Sequence, residues 1–331
     1  MLKEKILKFI RENKLIIPKE KIILGVSGGP DSMCMLDNLS KIQKEGLIDF
    51  ELIVVHINHM IREEATEDEQ YVQNYCKNND IKCYVKRIDV AKYANNNKIG
   101  LEEAGRIVRY EFFDEILRKE NASKIAIAHN KNDKAETMIM NLLRGCGLVG
   151  LKGIEPIRDN KYIRPILELN RDEIEEYCMQ NKLNPKIDKT NFINDCTRNK
   201  IRNIVIPYIK EEFNPNIIEN LNRLSKIISD EDLFMQKFTE KIYGEILLEK
   251  KDSQIILDLK QFNMQEKVIK KRIIIYSISK ILGMAQNIEM KNIEDLIKLC
   301  SNNIGNKYLK PNKNIKVSVN KGKVIFEKCV N

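Results

Sequence analysis

The run IILGV, residues 22–26, leads without a break into Ser27-Gly28-Gly29-Pro30-Asp31-Ser32, and the residues beyond read as a helix. This strand–glycine loop–helix unit constrains the fold more than any other feature. A short, wholly apolar run offers no polar face to water, so it must be buried on both sides. Comparable runs recur at ELIVVHI (51–57), KCYVKRIDV (82–90) and KIAIAH (124–129). Helical stretches separate them, notably LEEAGRIVRYEFFDEILRK from Leu101 and NDKAETMIMNLLR from Asn132. Strands joined in this way by helices build parallel βαβ units. The pattern therefore predicts an α/β fold, a doubly wound parallel sheet covered on both faces. Such sheets bind ligands outside the carboxyl ends of their strands, which is where the loop falls.

The loop has the chemistry of an anion site. Gly28 and Gly29 let backbone N–H groups approach a phosphate without a side-chain clash. The N-terminus of the following helix adds unpaired donors and a positive dipole end. Ser27 and Ser32 bring hydroxyls, and Pro30 suits the first helical position. Asp31 is an odd neighbour for an anion unless it holds Mg²⁺ beside the phosphates. The loop is neither G-x-x-x-x-G-K-[ST] nor G-x-G-x-x-G, which sets it apart from the Walker and dinucleotide-binding turns.

With 331 residues the chain is expected to form more than one unit. The pattern places a catalytic domain at 1–213, a helical connector at 214–250 and a small α+β module at 251–331. In that module NIKVSVNKGKVIFEK (314–328) reads as two strands around Asn320-Lys321-Gly322. Charge separates the parts as well. Residues 260–331 hold 15 Lys or Arg against 5 Asp or Glu, whereas residues 1–259 hold 42 against 43. A basic module beside a neutral one suits a polyanionic partner, most simply nucleic acid. Solvated Lys-rich surface has the same composition, so the charge alone does not decide.

No stretch approaches the roughly 18 apolar residues of a membrane span. The amphipathic N-terminus, MLKEKILKFIRENKLIIPKE, lacks the apolar core of a secretory signal. The expectation is a cytoplasmic protein with no membrane partner. None of the 8 cysteines forms a C-x-x-C pair, which argues against a zinc ribbon or a cluster site and fits reduced thiols.

All 3 histidines, His56, His59 and His129, fall at the ends of expected strands, in VHINHMIR (55–62) and IAHNKNDKAET (127–137). No cysteine or carboxylate stands at ligand spacing for a zinc site around them. SGGPDS after a strand marks the PP-loop ATP pyrophosphatases. With LEEAGRIVRYEFF (101–113), IAHNKNDKAETMIMNLLRGCGLVGL (127–151), RPILELNRDEI (164–174) and DKTNFINDCTRNKIRNIVIP (188–207), the chain resembles the tRNA(Ile)-lysidine synthetases. The likeness covers about the first two thirds of the chain. It departs from many members at Asn130, Lys131, Asn132 and Lys134, where those read AHHADDQAET, and in ending after what looks like the first of two C-terminal modules.

The resemblance implies a carbon–nitrogen ligase. ATP would adenylate the 2-carbonyl oxygen of the wobble cytidine in tRNA(Ile) with a CAU anticodon, and the side-chain amine of free lysine would then displace AMP. Residues 27–32 would hold ATP and Asp31 its Mg²⁺. Arg109, or Arg106 one turn earlier, would neutralise charge on the transferring phosphorus. Asp133 and Glu136, three apart on one helix face, would bind the lysine ammonium and accept its proton. A homodimer is left open. The alternatives are a PP-loop tRNA thiolase and a non-catalytic RNA- or nucleotide-binding module.

Overall fold

The computed structural model describes residues 2–60, 65–186, 193–283, 288–302 and 307–329. Residues 61–62 and 188–192 of the sequence motifs lie outside the described residues, as do 303–306. The chain divides into two compact units, 1–228 and 229–331.

The first unit opens with α1 (Leu2–Glu12), β1 (Glu20–Gly25), α2 (Pro30–Lys44), β2 (Phe50–Asn58), α3 (Ala65–Asn78) and β3 (Lys82–Arg87). Next come α4 (Val90–Asn97), α5 (Leu101–Glu120), β4 (Lys124–Ile127), α6 (Lys131–Leu143), a turn of helix α7 (Leu148–Leu151), β5 (Ile157–Arg158) and β6 (Tyr162–Ile163). The unit continues through α8 (Arg171–Gln180), α9 (Thr197–Lys200), a π-helical turn at Ile201–Val205 and α10 (Ile206–Glu212). The sheet order is β3-β2-β1-β4-β6-β5, and all pairs are parallel except β5 with β6.

Alternation within each apolar run explains why both faces are covered. Ile22, Leu24, Leu52 and Val54 pack with residues of α1, α2 and α8 in one core. Their neighbours Ile23, Ile53, Val55 and Ile125 pack with Phe112, Phe113 and Ile116 of α5 in another. Each of these fully buried aliphatic side chains is worth about 1.5–3 kcal/mol relative to exposure. The doubly wound sheet expected from the runs is the fold of this unit. From β1 the chain moves to β2 and β3 on one side, and returns to β4 on the other. The crevice between the carboxyl ends of β1 and β4 is therefore a topological switch point.

Where a helical connector is expected, α11 runs for 30 residues, Ile217–Ile246. Its pattern does not continue to Lys250. Leu247–Lys251 forms strand β7, because those residues pair with β8 (Gln254–Asp258). The second unit adds α12 (Leu259–Met264), α13 (Lys267–Leu282), α14 (Met290–Ser301), β9 (Tyr308–Asn312), β10 (Ile315–Asn320) and β11 (Lys323–Lys328). Its antiparallel sheet has the order β7-β8-β11-β10-β9 and buries Ile255, Leu257, Val317 and Phe326 against Phe262, Ile273 and Leu296. The β10–β11 hairpin turns on Lys321 (φ 46°) and Gly322 (φ 74°). Two left-handed residues give the twist a two-residue hairpin needs. No helix among the described residues is long and apolar enough to cross a membrane.

Candidate active site

The loop after β1 is held chiefly by the Ser32 hydroxyl, with the Ser27 hydroxyl 3.2 Å from it and accepting from the Gly29 N–H (3.4 Å). Ser32 Oγ accepts from the N–H groups of Ser27 (3.1 Å) and Gly28 (3.2 Å) and donates to the Gly29 carbonyl (3.0 Å). Ser32, expected from the sequence to meet the ligand, lines the cavity described below, and its hydroxyl, 4% exposed, also shapes the loop. Gly28 has φ +91°, a conformation L side chains rarely adopt, and its carbonyl accepts from the Lys186 N–H (3.0 Å). Pro30 occupies the first turn of α2, where a missing N–H costs nothing.

A cavity of about 630 Å³ opens at this loop. Ser27, Gly29, Pro30, Asp31 and Ser32 line it, with His56 and His59 from the end of β2, Arg109 from α5 and His129 from the end of β4. All three histidines thus meet at the ligand edge of the sheet. Arg109 has no ion pair among the described residues. Arg106 lies over the Tyr110 ring, 5.6 Å from its centroid, and does not line the cavity. Of the two arginines left open by the sequence, Arg109 is the one the structure puts beside the loop.

Asp31 sits across the switch point from the end of β4. Asn130 Nδ2 donates to Asp31 Oδ1 (2.8 Å). Burial, with the nearby Asp133 charge, pushes the Asp31 carboxyl up to about 6 despite that hydrogen bond. Asn130 also caps α6. Its side chain accepts from the Asp133 N–H (3.0 Å), and Asp133 Oδ2 accepts from the Asn130 N–H (3.0 Å). Asn130, noted in the sequence only as a departure, therefore joins the two loops of the site.

Asp133 and Glu136 do share one helix face, but each already meets two guanidinium groups. Arg198 Nε donates to Glu136 Oε2 (2.9 Å) and its Nη2 to Asp133 Oδ1 (3.1 Å). Arg202 donates to Glu136 Oε1 (2.6 Å), Glu136 Oε2 (2.8 Å) and Asp133 Oδ1 (3.1 Å). Burial alone would push the Asp133 carboxyl up; Arg198, His129 and the Asn130 N–H hold it below the ordinary carboxylate value. The sequence reading missed both arginines. Their only signal was the CTRNKIRN spacing, which places them one turn apart. Pro207, near the start of α10, has no N–H to give the helix, and the π-helical turn carrying Arg202 lies just before it. A second cavity, about 560 Å³, lies against this quartet, lined by Glu102, Asp133, Asp195, Arg198 and Arg202, and it shares His129 with the first.

Among the described residues no group of three or more His, Cys, Asp or Glu could hold a metal. An ion of the magnesium type needs no such cluster, since it takes one or two carboxylates and completes its shell with substrate phosphates and water. Asp31, whose carboxyl burial pushes up and which has no ion pair among the described residues, is the residue that could hold such an ion.

A glycine loop at the switch point of a parallel sheet, with an aspartate at the helix start, defines a PP-loop domain, and a family profile of that description matches residues 1–209. Among solved structures, the fold is similar to that of a U34-tRNA thiolase, NcsA, from Methanococcus maripaludis (TM-score 0.56, 18% identity, 69% of this chain and 78% of that one). The tRNA(Ile)-lysidine synthase of Clostridioides difficile is 43% identical over 334 residues, covering 100% of this chain and 72% of the relative. That of Clostridium perfringens is 45% identical over 299 residues, 90% of this chain. The chain belongs to the tRNA(Ile)-lysidine synthase family. It spans about 63% of the length of the C. perfringens relative.

Proposed function

We propose that the chain is an ATP-dependent ligase. It joins the side-chain amine of lysine to the wobble cytidine of tRNA(Ile) with a CAU anticodon, through an adenylated cytidine, releasing pyrophosphate and then AMP. The observation that carries this reading is the pair of cavities meeting at His129. One is built on SGGPDS and can hold ATP. The other is lined by carboxylates and arginines and can receive a second substrate beside the α-phosphate. Family membership supports this choice of substrates, and a cytoplasmic location is part of the same proposal.

In this reading residues 27–30 cradle the phosphates, and Asp31 holds Mg²⁺ against them, whose charge would offset the negative phosphate oxygens. Arg109, with no ion pair among the described residues, faces the transferring phosphorus as a cation. Asp133 and Glu136 fix Arg198 and Arg202 at the rim of the second cavity. Placing two substrates in fixed contact removes much of the entropic cost of a bimolecular step. The test is ATP–pyrophosphate exchange with unmodified tRNA(Ile) and no lysine. Exchange that requires this tRNA, followed by lysine-dependent AMP release, is expected. A folded protein that exchanges without tRNA, or not at all, would remove the reading.

The basic module is proposed to grip the tRNA backbone. The structure changes how this should be tested, because deleting residues 260–331 would strip β9–β11 from β8 and expose Ile255 and Leu257. Substituting the exposed Lys310, Lys313, Lys321 and Lys323 by Gln leaves the core intact. Each lysine that contacts a phosphate should flatten the log–log salt dependence of tRNA binding by about 0.7–0.9 when removed. Unchanged affinity and slope would make these lysines solvated surface.

A further inference from the structure

His129 lines both cavities, and its ring is held by a buried arginine. Arg164 Nε lies 3.3 Å from His129 Nδ1. Arg164 is 4% exposed and its other arm donates to the Glu155 carbonyl, so it is anchored rather than adaptable. A guanidinium can only donate. Nδ1 must therefore carry a lone pair, and the single proton of the neutral ring sits on Nε2. Burial pushes the ring down to about 4; the Asp133 charge opposes this, while Arg164, Arg198 and Arg109 add to it, so the neutral form holds at physiological pH. Nε2 is the nitrogen left for a ligand.

We propose that Arg164 locks His129 as the Nε2–H tautomer, so that His129 donates a hydrogen bond to an oxygen of the transferring phosphoryl group at the junction of the cavities. This rests on the proposed function for the identity of the acceptor, though the tautomer itself does not. Arg164 is a positioning residue and His129 the group that touches substrate. The arrangement also assigns His129 a task it does not have. It is no base for the lysine ammonium, because its only bare nitrogen is taken by Arg164.

His56 provides an internal contrast. Its Nδ1 lies 2.8 Å from the Val26 carbonyl, which can only accept, so His56 is the Nδ1–H tautomer. Two histidines of one cavity, His56 buried and His129 half-buried, thus carry their protons on opposite nitrogens.

With only three histidines in the chain, long-range ¹H–¹⁵N correlation on ¹⁵N-histidine-labelled protein resolves each ring. Wild type should show His129 as Nε2–H and His56 as Nδ1–H, with R164M moving His129 toward a tautomer mixture and R164K moving it less. In adenylation assays, H129Q puts an amide N–H near the position of Nε2 and should stay within about tenfold of wild type. H129N, whose amide falls near Nδ1, should lose about 100-fold in kcat, the usual cost of one lost donor to transition-state charge, with nucleotide Kd nearly unchanged. An Nδ1–H signal for His129 in wild type overturns the proposal. So does equal loss in H129Q and H129N, the pattern of a base. If wild type forms no adenylate, the functional reading fails, while the spectra still decide the tautomer.

Discussion

Replacing Asp31 by Asn will abolish AMP formation and at the same time make the free protein more stable at neutral pH. Asn keeps the shape and still accepts the hydrogen bond from Asn130, so packing is preserved. What disappears is a negative charge in a buried site near Asp133. A carboxyl whose folded pKa lies above its unfolded one favours its protonated form. Its penalty is absent below about pH 4, grows between the ordinary value of 3.8 and about 6, and is constant above. A rise of this size corresponds to up to about 3 kcal/mol, or several degrees in Tm for a unit of this length. Melting curves without nucleotide or metal should show Asp31→Asn ahead of wild type at pH 7.5 and by about half as much at pH 5. With Mg²⁺ and ATP present the order should narrow or reverse, since only the wild type gains ligand stabilisation through this carboxylate. Activity should fall at least about 100-fold, because the charge stabilisation lost is worth several kcal/mol. Wild-type activity in Asp31→Asn, or equal Tm at neutral pH, would take Asp31 out of the site.

Glu136→Ala is expected to be costly for a different reason. Glu136 is 1% exposed and binds both Arg198 and Arg202, so its removal leaves two crowded guanidinium groups with Asp133 alone. Breaking a buried ion pair from one side costs about 3–5 kcal/mol. The low end applies here, because Arg198 keeps 31% of its side-chain surface and water can replace part of the loss. Since the arginines would move, adenylation and lysine transfer should fall together. The opposite result is informative too. Unchanged stability with only a raised KM for lysine would mean that the carboxylates serve the lysine ammonium, as the helix spacing first suggests. Denaturant unfolding together with single-turnover adenylation and transfer separates the two outcomes.

The strands around 22–25, 52–55 and 125–127 were legible because a run apolar at every position has to be buried on both faces, which a helix-covered parallel sheet provides. SGGPDS was legible because left-handed backbone at Gly28 and a donor-rich helix start are local properties of six residues. The Lys321–Gly322 hairpin was legible on the same ground. Asp133 and Glu136 could be put on one face from helical geometry alone, yet what faces them could not. Arg198 and Arg202 arrive from more than sixty residues away, through a chain reversal that no local propensity encodes. Asn130 looked like a lost histidine until the β1–β4 crevice set it against Asp31. That the Ser32 hydroxyl also ties the loop to itself was visible only once the loop had folded. The position of a proton on His129 is further still from the sequence, since it depends on which buried guanidinium the fold brings behind the ring. Periodicity and loop conformation are short-range and survive in one dimension; ion pairs, pKa values and tautomers are set by neighbours that only the packed tertiary structure supplies.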